Sequence, residues 1–180
     1  MKQLICSKLL DLMETQHYET IKVTDLVKYI GIGRSTFYSH FDSIYSVLQT
    51  IEDDFINGLP VPDANIRDVL INDRKIKIDY LNHLKNNKKA YLVLNSSNSD
   101  PSFRVRLTNH SRRILLSALS TLSPGTHPAT EWRAVYEFYQ GGNDRRVSWW
   151  LEHVDDISVN DMVILMEKLI TDIFDRLLTK

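Results

Sequence analysis

The sequence predicts an all-α fold with about nine helices, and three observations carry this prediction. Apolar residues recur at helical spacing along most of the 180-residue chain, and no segment alternates apolar and polar residues long enough to indicate a strand. Glycine and proline are scarce, with 6 and 5 occurrences, which disfavours a turn-rich sandwich. We therefore expect an N-terminal domain of three helices over residues 1–48 and a larger helical domain over residues 49–180.

The individual helices follow from apolar spacing and from the residues that begin and end them. Gly31 suits the left-handed conformation that ends a helix, Asp100 caps the helix that follows it, and Ser158 with Asp161 forms a capping-box pattern. Residues 59–63, with two prolines, are the best candidate for a linker, and residues 123–128 are a break. The expected helices cover residues 2–16, a short stretch ending at Ile30, 34–40, a stretch from Asp42 or Ser43 to about Asn57, 76–84, 90–94, 100–119, 129–152 and 158–178.

Composition excludes several classes of protein. The chain has 22 basic and 23 acidic side chains, and its net charge of -1 provides no overall attraction to nucleic acid. That charge averages a basic middle, an acidic C-terminal third and a neutral N-terminal segment of five basic and five acidic residues. Cys6 is the only cysteine, which excludes an intrachain disulfide and a multi-cysteine metal centre. No signal peptide or membrane span is recognisable, so we expect a cytoplasmic protein. We expect no metal or cofactor.

The second and third helices predict a DNA-binding function. A helix, a turn with two glycines and a short helix within residues 24–40, preceded by a supporting helix, form the layout of a helix-turn-helix. Phe37 and Phe41 lie four residues apart and share the face that packs on the preceding helices. The opposite face can meet the major groove and carries Arg34, Ser35, Tyr38 and Ser39.

The segment from Lys22 to Phe41 resembles the signature of the TetR/AcrR family of bacterial transcriptional regulators, and its core is Thr36-Phe37-Tyr38-x-His40-Phe41. The close resemblance covers residues 3–50, and the rest is similar in layout. Within the rest, Phe138-Tyr139-x-Gly141-Gly142 and Trp149-Trp150-Leu151 resemble the penultimate helix of one C-terminal subgroup. The resemblance implies that Tyr38 and His40 contact the DNA backbone. The expected DNA-contacting residues are Lys22, Thr24, Gly33, Arg34, Ser35, Thr36, Tyr38, Ser39 and His40.

Departures from the family pattern lower the expected affinity for DNA. Ile44 stands where the family usually has a lysine, and Lys22 replaces the threonine that usually caps the second helix. The basic arm that often precedes the first helix is almost absent. Because each phosphate contact adds a salt-dependent contribution to affinity, a segment with few cations is expected to bind DNA modestly.

In the family, a C-terminal helical domain encloses a small-molecule pocket and pairs with a second copy, and this sequence is consistent with both roles. The last helix has an apolar face wider than a small domain needs to cover with its own helices. Two adjacent glycines inside the preceding helix cost about 1 kcal/mol each, which close approach of another helix would justify. An ordinary monomeric core with a local kink at the glycines would explain the same pattern. The expected dimer contacts are Gly142, Trp149, Met162, Met166, Leu169, Ile170, Ile173 and Phe174.

Aromatic and polar residues on the inner faces of the larger domain are candidates to contact an unidentified small-molecule effector. Aromatic stripes at helical spacing also simply pack in cores, so each residue has a structural alternative. The basic balance of residues 67–113 is compatible with an anionic effector and equally with solvated helix faces. The candidates are Tyr80, His83, Tyr91, Phe103, His110, Trp132, Tyr136 and Tyr139.

Two other functions compete with this interpretation. An enzyme is disfavoured, because Gly31-x-Gly33 lacks a third glycine and no Walker loop or Gly-x-Ser-x-Gly motif occurs. The six histidines also include no pair at helical metal-binding spacing. The stronger alternative is a co-regulator of the same fold that acts mainly through a protein partner, because the N-terminal domain is neutral. The expected partners are a double-stranded DNA operator, a second copy of the chain and an effector, with no membrane.

Overall fold

The structure is a computed structural model that describes residues 1–60, 74–122 and 129–178. Within these ranges the structure does not describe the side chains at positions 113–122, 129, 131–132, 135–136, 139 and 170–178. All regular structure in the described ranges is helical, which confirms the predicted all-α fold. It consists of a 3₁₀ turn at Tyr18–Thr20 and helices α1 (Lys2–Met13), α2 (Val23–Ile30), α3 (Arg34–Tyr38), α4 (Ile44–Asn57), α5 (Arg74–Asn86), α6 (Lys88–Leu94), α7 (Pro101–Leu122), α8 (Ala129–Glu152) and α9 (Val159–Leu178).

Local sequence explains where several helices begin and end. Gly31 follows α2 with a φ of 81°, the left-handed conformation that glycine adopts without strain. At the start of α4, the side chains of Ser43 and Ser46 each accept a hydrogen bond from the other residue's backbone N–H, which forms a capping box. Asp100 accepts a 2.8 Å hydrogen bond from the backbone of Ser102 and so caps α7. These predicted boundaries are confirmed.

Two helices end earlier than predicted. α1 stops at Met13 rather than at residue 16. α3 stops at Tyr38 rather than at residue 40, because the chain tightens there into a turn. The backbone N–H of His40 bonds to the carbonyl of Phe37 at 2.9 Å, and the hydroxyl of Ser39 bonds to the carbonyl of Thr36 at 2.8 Å. The predicted break at 123–128 and most of the predicted linker at 59–63 lie outside the described residues.

The chain divides into two compact units, of which the first comprises Met1–Gly58 and Asn87–Leu107. In this unit α1 packs against α2, α4 and α6, while α2 packs against α3 and α4 against α6. An aromatic cluster extends the core, with the ring of Phe55 centred 6.0 Å from Tyr91 and 5.8 Å from Phe103. The predicted boundary between the N-terminal domain, residues 1–48, and the larger domain, residues 49–180, stays a prediction. The fully buried aliphatic residues of this unit include Ile5, Leu9, Met13, Leu26, Val47, Leu48 and Leu94.

The second unit comprises Leu59–Asn86 and Thr108–Lys180, and in its described part α5 packs against α9. Trp150 is fully buried, and its indole N–H donates to the carbonyl of Ile157 at 2.9 Å, so its polar atom is satisfied. Lys77 is also buried, and its ammonium pairs with Glu167 of α9 at 3.5 Å. Other buried apolar side chains in the described part of this unit include Leu81, Leu84, Val147, Leu151, Met162, Val163 and Met166.

Candidate nucleic-acid interface

The short helix α3 has a buried face and an exposed face. Phe37 and Phe41 are buried in the core of the first unit with their ring centroids 6.2 Å apart, as predicted. Tyr38 is 55% exposed, and its ring packs edge-on against Phe37 at 5.4 Å, which limits the directions that its hydroxyl can take. Arg34 and Ser35 are exposed as well. One side of α3 therefore anchors the helix, and the other is open to a partner.

The remaining predicted DNA-contacting residues lie before, within and after α3 in the chain. Lys22 is exposed at the N-cap of α2, where its side chain makes no capping hydrogen bond. Thr24 is half-buried, and its hydroxyl lies 3.4 Å from the carboxylate of Asp25. Gly33 is the exposed N-cap of α3, and His40 is half-buried just after the helix. Thr36 is half-buried and Ser39 is exposed, so every residue of the predicted set, which lies in the segment from Lys22 to His40, is at least partly accessible to solvent.

One cation beside this segment was not selected from the sequence. The ammonium of Lys2, the first residue of α1, lies 5.7 Å from the centroid of the Phe41 ring. Lys8, about 1.7 turns further along α1, instead donates a 2.7 Å hydrogen bond to Asp11. Lys2 lies three residues before Ile5 and seven before Leu9, so helical periodicity places it on the same side of α1 as these buried residues, but it gives no sign that the ammonium reaches the end of α3. That proximity depends on how α1 packs in the unit.

A buried ion pair between α4 and α7 was also not predicted from the sequence. Glu52 is only 1% exposed, and one of its carboxylate oxygens pairs with the guanidinium of Arg106, which also bonds to Asp53 at 2.8 Å. The other oxygen of Glu52 and the Nε of Arg106 are buried without a hydrogen-bond partner among the described residues. Burial raises the pKa of Glu52 to about 7, against the opposing effect of Arg106 and with support from Asp100.

The predicted effector-contacting residues are distributed over both units. Tyr91 and Phe103 are buried in the aromatic cluster of the first unit, against Phe55. Tyr80, His83 and His110 are half-buried in the second unit. The side chains of Trp132, Tyr136 and Tyr139 lie outside the described residues. An open cleft of about 490 Å³ in the first unit is lined by none of these residues but by Glu14, Lys88, Lys89, Leu92, Val93 and Ser96.

The predicted dimer contacts include buried and exposed residues. Met162 and Met166 are buried within the chain itself, whereas Trp149 and Leu169 are 45% and 48% exposed. Trp149 stacks on His153 with ring centroids 4.5 Å apart. Gly142 is exposed, and a Cβ added there or at Gly141 would meet nothing within 4 Å, so no described part of the chain requires these glycines for space. The side chains of Ile170, Ile173 and Phe174 lie outside the description.

The described residues offer little for redox or metal chemistry. Burial raises the pKa of the Cys6 thiol to about 11, so the thiol is protonated and weakly nucleophilic at neutral pH. No group of three or more His, Cys, Asp or Glu residues that could hold a metal ion occurs in the ranges that the structure covers. Among the helices of those ranges, none has the length and apolar character needed to cross a membrane.

Comparison with known proteins agrees with this fold. Residues 74–172, more than half of the chain, match a TetR family model described as a transcriptional regulator C-terminal region. A solved TetR transcriptional regulator from Streptococcus agalactiae 2603V superposes with a TM-score of 0.63 at 22% identity, covering 93% of this chain and 92% of that chain. None of the curated proteins matches. The subgroup resemblance of α8 stays a prediction, but the chain belongs to the TetR family of transcriptional regulators.

Proposed function

We propose that this TetR-type regulator binds a near-palindromic DNA operator as a homodimer through α3, under the control of a small-molecule effector. The observation that carries the proposal is the division of α3 into two faces. Phe37 anchors the helix in the core, while Arg34 and Tyr38 are exposed on the other side. A recognition helix needs this combination, because its position must be set by packing while its outer side chains stay available to base edges and phosphates.

The exposed groups suit distinct parts of a DNA duplex. The guanidinium of Arg34 can donate two parallel hydrogen bonds to the O6 and N7 atoms of a guanine in the major groove. The hydroxyls of Ser35 and Tyr38 can donate to phosphate oxygens, which position the protein without reading sequence. We expect sequence selectivity to depend mainly on Arg34, and overall affinity to depend on the phosphate contacts.

Exposed apolar side chains on α8 and α9 support pairing with a second copy. Phe138 is 76% exposed, and Trp149, Leu165 and Leu169 are each more than 40% exposed. Two copies related by a two-fold axis would cover such residues and would present two α3 helices to two half-sites. An effector would regulate binding if it preferred one spacing of the two α3 helices over the other.

Selection of genomic fragments at moderate salt tests DNA binding. We expect the wild-type protein to retain one near-palindromic site. Arg34→Ala should weaken operator binding about tenfold or more, because a good base contact contributes roughly 1–3 kcal/mol. Tyr38→Ala should weaken binding to every sequence, because it removes a phosphate contact. Lys28→Ala is the matched control, since Lys28 is an exposed cation at the end of α2 outside the predicted set. If the wild-type protein retains no fragment selectively, DNA reading by this chain is refuted.

Light scattering tests the dimer. We expect a mass twice the 20.9 kDa of one chain, and we expect Leu169→Asp to shift it toward the mass of one chain. Val105→Asp is the control, because Val105 is 59% exposed on α7 and is not a predicted dimer contact. A wild-type protein that scatters as a single chain at micromolar concentration contradicts the dimer.

The neutral charge of the N-terminal segment favours a second candidate, a TetR-fold co-regulator that acts mainly through a protein partner. Residues 1–50 carry five basic and five acidic side chains, so nonspecific attraction to DNA is weak. In that case a pull-down from the host recovers a stoichiometric protein partner, while DNA selection recovers nothing. A footprint of one operator by the protein alone rules the candidate out.

A further inference from the structure

The end of α3 is flanked by a cation that belongs to another helix. The ammonium of Lys2 lies 5.7 Å from the centre of the Phe41 ring, within the range of a cation–π contact. Phe41 directly follows His40, which closes the exposed segment of predicted DNA contacts. Phe41 is buried whereas Lys2 is exposed, so the ring is a fixed support and the ammonium stays in contact with solvent.

The charge of Lys2 is not neutralised within the described part of the protein. No described carboxylate lies within ion-pair distance of its ammonium, whereas Lys8 on the same helix is paired with Asp11 at 2.7 Å. The first turn of α4, which follows the segment, is uncharged, and Ile44 at its start is buried. Lys2 is therefore the cation that this end of the segment has available for an anionic ligand.

We infer that Lys2 contacts a DNA phosphate next to the one engaged at the end of α3, and that α1 thereby supplies a cation that α4 does not. The inference rests on the proposed DNA-binding function and adds a contact to it. The Phe41 ring restricts the side chain before DNA arrives, so less conformational freedom is lost on binding than for a free surface lysine. A phosphate contact of this kind strengthens binding to every sequence and reads none.

The salt dependence of operator binding tests this contact. Each phosphate that a protein neutralises adds about 0.9 to the slope of log affinity against log salt. We expect Lys2→Gln to lower the slope by about 0.9 per chain, or roughly 1.8 per dimer, equally for the operator and for unrelated DNA. Lys2→Arg should keep the wild-type slope, because it keeps the charge.

Lys8→Gln is the matched control. Lys8 lies on the same helix and its ammonium is 5.5 Å from the ring of Tyr29, but its charge is already paired with Asp11. The control should therefore leave the slope unchanged. If the wild-type protein binds an operator and Lys2→Gln keeps the wild-type slope, or changes it no more than Lys8→Gln does, the inference is overturned while DNA reading stands. If the wild-type protein binds no DNA, the proposed function itself fails.

Discussion

Two groups of charged residues join distant helices of the first unit, and their carboxylates respond in opposite ways. Asp11 of α1 accepts hydrogen bonds from Lys8 and from Lys89 of α6, and these bonds hold the pKa of Asp11 below its ordinary value. Glu52 of α4 pairs with Arg106 of α7, yet burial raises its pKa to about 7. A carboxylate paired with a cation is therefore more acidic than usual at Asp11 and less acidic than usual at Glu52.

The difference lies in solvation and in the number of donors. Asp11 is near the surface and has two ammonium partners, so losing some water costs little. Glu52 is almost fully buried, one of its oxygens has no partner among the described residues, and Arg106 is shared with Asp53. The free-energy cost of desolvating the Glu52 carboxylate consequently exceeds the stabilisation that a single guanidinium provides. The comparison predicts that the two groups differ in stability, in pH dependence and in salt dependence.

The largest effect is expected from removing the cation of the buried pair. Arg106→Met leaves Glu52 buried without its partner, and we expect a loss of about 3 kcal/mol at pH 8, less than for a wholly buried pair because Arg106 is itself 39% exposed. Urea denaturation measures this change. Arg104→Met is the control, since Arg104 is an exposed arginine of the same helix and makes no described ion pair. Equal losses in the two variants would contradict the account.

The pH dependence of stability follows from Glu52. Its pKa in the folded state, about 7, exceeds its ordinary value of 4.5, so the folded protein binds the extra proton between these two values. The stabilisation is complete below about pH 4.5 and is lost as the pH rises through 7. We expect this group to lower the free energy of unfolding by about 2 kcal/mol between pH 5 and pH 8, less than the full linkage value because its partner Arg106 is 39% exposed.

Glu52→Gln should abolish that decline, because an amide does not titrate. Denaturation of the variant and the wild type at several pH values between 5 and 8 measures it. Asp53→Asn is the comparison variant. Asp53 contacts the same guanidinium and is 58% exposed, and its charge helps to raise the pKa of Glu52, so this variant should keep the decline but move it to lower pH. A wild-type profile that stays flat over this range would show that Glu52 is charged throughout.

An ion pair in the second unit extends the comparison, because its buried member is the base rather than the acid. Here the base, Lys77, is buried, and the acid, Glu167, is 30% exposed. We expect Glu167→Gln to cost roughly 1–2 kcal/mol, since it leaves a buried ammonium without a counter-charge but with a route to water. Glu152→Gln, an exposed acid at the end of α8, is the control and should stay within about 0.5 kcal/mol of the wild type in thermal or urea unfolding. A neutral result for Glu167→Gln would mean that Lys77 reaches solvent.

The sequence predicted the buried and exposed faces of α3 and the end of α2 well, because their determinants are local. The spacing of Phe37 and Phe41 defines the buried face of α3, and Gly31 ends α2 by its own backbone preference. The error of two residues at the end of α3 arose because a terminal turn depends on side-chain hydrogen bonds such as that of Ser39. Helical periodicity predicts which residues share a face of a helix, but it does not predict where such a turn ends the helix.

The buried ion pair could not be predicted, because its members lie 54 residues apart. In the sequence Glu52 begins an acidic run with Asp53 and Asp54, a pattern typical of a solvated face. One signal was present: Glu52 lies four residues after Leu48 and three before Phe55, both buried, and so falls on the apolar stripe of α4. Recognising its partner required the packing of α7. Lys2 was missed for the same reason, since only tertiary packing brings α1 beside Phe41.

The smallest effect is expected at the surface group, and its pH dependence runs in the opposite direction. Asp11→Asn removes the acceptor of two lysines, and we expect a loss of under about 1 kcal/mol at neutral pH, because both partners are solvated.

The folded state holds the pKa of Asp11 below its ordinary 3.8, so the stabilisation is present above that value and is lost as the pH falls through the lower folded-state pKa. The difference between Asp11→Asn and the wild type should therefore disappear in acid, and it should shrink in 1 M salt, where the screening length is about 3 Å. Arg106→Met, whose partner carboxylate is shielded from ions by burial, should keep most of its effect in the same salt. If salt reduced the two effects equally, burial would not be what separates the two groups.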